Sequence, residues 1–134
     1  MAVVNKRTLV DSGTRHVVMF EINNATNDGV SVVDASTLRG HVEKPTLDIR
    51  SIKWNTTAAT SDVAFEFDAS TDDHAISVHG SGEYGFHGKQ PMLTNPESSG
   101  VTGDIVITNA AAVTGTFILE VAKTKGYDNS GQTR

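Results

Sequence analysis

The sequence predicts an all-β chain, a jelly-roll-like antiparallel β-sandwich of about eight strands. Three observations lead there. Thr, Val, Ser, Gly and Asn dominate, and no segment sustains a helical period. Short apolar runs alternate with polar residues, the pattern of half-buried strands. Turn formers recur at the regular spacing of a sandwich or barrel.

Taken in order, HVVMFEI (16–22) places His16, Val18, Phe20 and Ile22 on one face. GVSVVD (29–34) follows the turn-prone NNATND and reads as a separate strand. One helical turn fits within 33–43, with Ser36 as its cap. TLDIRSIKWN (46–55) puts Leu47 and Ile49 on one face, and Ile52 and Trp54 on the other. DVAFEFD (62–68) is the cleanest alternation, with Val63, Phe65 and Phe67 inward. HAISVHG (74–80) groups His74, Ile76 and Val78. EYGF (83–86) adds a short strand. TGDIVIT (102–108) and TFILEVAK (116–123) complete the set, separated by NAAAVTG read as a turn. Residues 1–13 read equally as an N-terminal arm or as the first strand. Residues 14–125 form the sandwich, and 126–134 a polar tail that would fray.

Bulk properties narrow the function. The chain has 134 residues, one ordinary domain able to bury a core without staples. It has no cysteine, which excludes thiolate zinc sites, redox dithiols and disulfide frameworks. A net charge of −5 repels phosphate backbones, so no nucleic-acid partner is expected. No apolar run approaches the ~18 residues of a spanning helix, so no membrane is expected. MAVVNKRTLVDSGTRH lacks a signal peptide's apolar core, which predicts use without Sec export.

Four features suggest chemistry. Gly80, Gly82 and Gly85 of HGSGEYGFHG have G-x-G-x-x-G spacing. A dinucleotide cradle needs a helix next, and FHGKQPMLTNP supplies none, so the glycines read as a hairpin bend. His74, His79 and His87 crowd with Asp72, Asp73 and Glu83. Yet residues 74 and 79 fall on opposite faces of an unbroken strand, so no metal is expected. Asp68, Asp72 and Asp73 share the DASTDD turn without the calcium-loop spacing, and read as a solvated acidic turn. Trp54 could stack on a sugar, but the alternation around it favours a core or interface anchor. No nucleophile elbow appears, so neither an enzyme nor a cofactor is expected.

From Ile49 to Lys125 the order of segments becomes specific. A strand ending in Trp54 precedes an aromatic strand around Phe65. Gly80, Gly82, Tyr84 and Phe86 follow. Then comes Asn95-Pro96, Gly100, and Thr102-Gly103-Asp104 leading into Ile105 to Thr108. This order resembles small virion structural proteins of tailed bacteriophages, marine ones in particular. The resemblance implies a non-enzymatic particle component. In size and acidity the chain is similar to capsid decoration (cement) proteins, which sit on the capsid exterior, bind the major capsid protein lattice and often form trimers. Neck, tail and fibre-base positions stay open, as does a carbohydrate-binding module. Under the arm reading, Val3, Val4, Leu9 and Val10 are apolar plugs. Lys6 and Arg7 would pair with acidic shell residues.

Overall fold

The computed structural model describes residues 3–56, 62–85, 90–96 and 99–128. Among the described residues there are seven strands and one 3-10 turn: β1 (Val3–Asp11), β2 (Arg15–Val33), the turn Ala35–Thr37, β3 (His41–Thr56), β4 (Val63–Phe67), β5 (Asp73–Val78), β6 (Ser81–Tyr84) and β7 (Ile105–Tyr127). Every pairing is antiparallel. The expected sandwich forms, with seven strands instead of about eight.

The count falls because two predicted turns are bends inside continuous strands. NNATND and NAAAVTG lie opposite each other in the β2–β7 ladder. The pairing steps through irregularities there, at Ala25↔Val113 and Asn27↔Asn109, and then resumes. Turn formers relax the ladder enough to crease it without reversing the chain. Below the crease, Arg15–Ile22 and Gly115–Ala122 join β1, β3 and β6 in layer one, ordered β1-β2-β7-β3-β6. Above it, Ala25–Val33 and Ile105–Val113 join β4 and β5 in layer two.

The two layers fold onto each other around three phenylalanines. Phe20 and Phe117 of layer one stack at 5.1 Å, and Phe65 of layer two lies 6.2 and 6.0 Å from them. All three are at most 1% exposed. Each such burial contributes ~1.5–3 kcal/mol, and each ring pair adds ~0.5–1.5 kcal/mol. The alternation in 16–22 and in 62–68 is obeyed: His16, Val18, Phe20 and Ile22 are buried, as are Val63, Phe65 and Phe67.

Bulges overturn two face assignments. Between Ile49 and Ser51 the β3–β7 register shifts, so Ile49 faces Val121 while Ile52 faces Leu119 and Trp54 faces Phe117. Ile52 and Trp54 therefore join Leu47 and Ile49 on the core side. Likewise, a shift between Phe65 and Glu66 pairs His74 with Glu66. This turns His74 away from Ile76 and Val78. One extra residue inverts the parity on which such assignments rest.

The helical turn appears as Ala35–Thr37, but Asp34 caps it, accepting from the Ser36 amide at 3.1 Å. Within residues 1–13, Val3–Asp11 forms β1 and pairs with β2 of the same chain. Gly80, Gly82 and Gly85 do not form a hairpin: β5 pairs only with β4, and β6 with β3, so the glycines carry the chain between layers. Gly80 adopts φ +70°, and Gly82 lies flat under the Trp54 ring.

A β-carbon at Gly82 would sit 2.8 Å from Trp54 Cζ2. Gly82→Val should lower stability by about 1–3 kcal/mol, the usual cost of overpacking. Phe65→Ala should cost about 3–5 kcal/mol. Urea titration monitored by Trp54 fluorescence measures both.

Candidate functional site

β1 forms one margin of layer one, and among the described residues β2 is its strand partner. The six residues singled out on it divide. Val3 enters the core of its own sandwich and is 5% exposed. Val4 and Val10 are half-buried, opposite Glu21 and Val17. Lys6, Arg7 and Leu9 are exposed. The reason is again bulging: the register slips around Asn5–Lys6 and again at Leu9, and Asn5 takes φ +50°. Asn5 Nδ2 donates to Glu21 Oε1 at 2.6 Å, which fixes the first bulge. Bulges twist an edge away from straightforward strand addition, so β1 presents side chains more readily than backbone.

The histidines do not converge. The His74 ring nitrogen lies 2.7 Å from Ser77 Oγ on the solvent side of β5. The backbone carbonyl of His79 accepts from Trp54 Nε1 at 3.1 Å. His87 and Phe86 lie outside the described residues. Among the described residues no three His, Cys, Asp or Glu side chains gather in a metal-binding group. DASTDD is held from within and from without: Asp72 accepts from the Ala69 amide at 3.1 Å, and Asp68 accepts from Thr102 Oγ1 at 2.7 Å. Trp54 packs against the core, and the Tyr84 hydroxyl donates to the Pro91 carbonyl at 2.8 Å.

The segment Gly100–Asp104 is a clip. Asp104 Oδ1 accepts from the Ala35 amide at 2.8 Å, and the Asp68 amide donates to the Asp104 carbonyl at 3.0 Å. Gly103, at φ +87°, lets the chain pass against the Pro45 carbonyl, where a β-carbon would sit 2.6 Å away. The 3-10 turn and the β4–β5 loop are thereby tied to the entry of β7, which also packs against β3. Burial raises the Asp104 carboxyl, an effect that the Ala35 amide opposes.

Two further clusters were not singled out from the sequence, because their members lie about a hundred residues apart. On the solvent face of layer one, Arg15 and Arg50 converge on Glu120 Oε2, at 3.2 and 3.7 Å. Buried Ser51 lies beside them, with Gln90 and Met92 completing a polar cleft of about 580 Å³. The only trace in the sequence is a lone acid in the otherwise apolar ILEVA. The second cluster is a clasp at one end of the sandwich. Lys123, with no exposed side-chain surface, places Nζ 2.6 Å from Asp11 Oδ1. It also donates to the Arg39 carbonyl at 2.7 Å and lies 5.1 Å from the centre of the Tyr127 ring. The second Asp11 oxygen accepts from the Arg39 amide at 2.9 Å. His16 Nδ1 stands 3.7 Å from Asp11, too far for a hydrogen bond.

The chain matches no protein-family model, no curated protein and no solved structure.

The clasp generates two expectations. Lys123→Met strands the half-screened Asp11 carboxylate and should cost roughly 3 kcal/mol, towards the lower end for a broken buried pair. Thermal unfolding measures it. Burial is the chief cause lowering the His16 pKa from 6.5; Asp11 opposes it and Lys123 reinforces it. The unfolded chain therefore binds the His16 proton first as pH falls. The stability from neutral His16 is complete above pH 6.5 and is lost as pH drops through the folded value. Urea midpoints between pH 7.5 and 5 should fall in the wild type, and His16→Gln should flatten that slope.

Proposed function

We propose that this chain is a structural virion protein, a capsid decoration protein that seats on the major capsid protein lattice from outside and acts through contacts with the shell and with other copies. The observation that carries this reading is what the resemblance motif does in the fold. Gly100, Thr102, Gly103 and Asp104 serve to tie loops together: Gly100 at φ +67° packs against Ser70, Thr102 holds Asp68, and Asp104 caps Ala35. A motif made of clips and glycine passages suits a scaffold, because it holds loops in fixed positions.

Two features add support. Layer one exposes a broad, mixed-charge face suited to a protein surface. Decoration sites recur around a shell, so modest contacts gain strength when copies engage neighbouring positions together. The sugar-binding alternative gains nothing from Trp54, whose ring covers Gly82 and whose indole N–H is already bonded to His79.

The test is co-sedimentation of purified chain with undecorated shells, followed by imaging of the particles. Saturable binding at symmetric shell positions is expected, with the shell withstanding higher temperature when decorated. Failure to bind shells together with density for the chain at the neck, tail or fibre base would refute the decoration role.

A further inference from the structure

Acid and base are segregated by layer. The segments that build layer two and its loops, residues 23–34, 62–80 and 99–113, carry eight Asp or Glu and no Lys or Arg. The remaining described residues carry nine Lys or Arg against seven Asp or Glu. One half of the sandwich is thus at −8 and the other at +2. None of the eight acids of layer two is buried.

The solvent face of layer one has the anatomy of a contact surface. At its centre, Val10 pairs with Val17 and Met19 pairs with Ile118, all four half-buried on the side away from the core. Around this band stand the exposed cations Arg7, Arg15, Arg50 and Lys53, with Glu21 and Glu83 among them; Glu21 accepts from Asn5, and Glu83 lies opposite Lys53. Glu120 consumes one charge of the pair that flanks it. Each guanidinium keeps further N–H donors, and they border the open cleft beside Ser51. An apolar centre inside a charged rim is the usual build of a protein contact, and forked donors suit carboxylates.

A chain at −5 with evenly spread charge would repel its copies. Segregation converts that repulsion into a directed attraction, since each molecule carries both a mixed face on which cations outnumber acids and a surface bearing acids alone. We propose that copies associate head to tail, the acidic layer two of one copy docking on the solvent face of layer one of the next, with carboxylates entering the Arg15–Arg50 cleft. This deepens the self-assembly part of the proposed function but needs no capsid. Such a contact is heterologous, closing into a ring or continuing as a filament according to the rotation between copies.

Sedimentation velocity on the isolated full chain tests it. Association is expected at about 20 mM salt and should be lost near 1 M, where the screening length falls to about 3 Å. Arg50→Glu with Lys53→Glu takes the layer-one half from +2 to −2, and Asp28→Lys with Asp72→Lys takes layer two from −8 to −4. Each double variant alone should be monomeric, with circular dichroism unchanged, and an equimolar mixture should associate again. A limiting mass or a continuing ladder both support the contact. A wild type that stays monomeric at about 20 mM salt, or variants that associate as the wild type does, would overturn it. Shell binding by a protein that is monomeric alone would overturn this proposal and leave the decoration role standing.

Discussion

The creased pair of long strands, β2 against β7, is the constraint on which everything else depends. Their ladder begins at Arg15↔Ala122 and runs to Val33↔Ile105. Both layers are therefore built on the same two strands, and neither layer is complete without them. At the crease, backbone pairing lapses, and buried side chains take over. Asn27 Nδ2 donates to Asn109 Oδ1 at 2.7 Å, and Asn109 Nδ2 donates to the carbonyls of Ala25 and Ala111. A buried amide that reaches both limbs of the bend satisfies carbonyls that would otherwise be costly to bury. The fold angle set there is what brings Phe65 down onto Phe20 and Phe117.

Much of this was legible in the sequence, and the limits have a physical cause. Alternation identified 16–22 and 62–68 with the correct faces, because those runs pair continuously along β7 and the extra residues of the neighbouring bulges lie on β1 and β5. It failed at Arg50 and near Ala75, where a bulge moves every later side chain to the opposite face while leaving composition untouched. It also divided β2 and β7 in two. Asn, Asp, Gly and Thr mark places where the chain departs from a regular ladder, and a crease and a reversal demand the same residues locally. What distinguishes them is whether the flanking segments pair with each other or with a third strand, which is not a local property.

The candidate surfaces were legible only in part. Within residues 1–13, Val3, Val4, Lys6, Arg7, Leu9 and Val10 were recognised as a set of mixed apolar and basic character, and the structure divides these six between the core and the solvent side. The Arg15–Arg50–Glu120 cleft and the Lys123 clasp each unite residues far apart in sequence, so no spacing rule could reveal them. Lys123 looks like one of two lysines in a polar end segment, yet the loop at Arg39, the end of β1 and Tyr127 enclose it completely. The glycine motif, conspicuous in sequence, proved to be a passage between layers shaped by the Trp54 ring.

The shared strands have a consequence for how the molecule comes into being. β2 finds its main partner some ninety residues further along, so a ribosome releases the first six strands before either layer can be closed. Until Ile105–Tyr127 emerges, the apolar faces of β2, β3 and β4 are left without the strand that joins them. Nascent chains of this design have to wait, exposed to sticking and to chaperone capture, and then mature late and all at once.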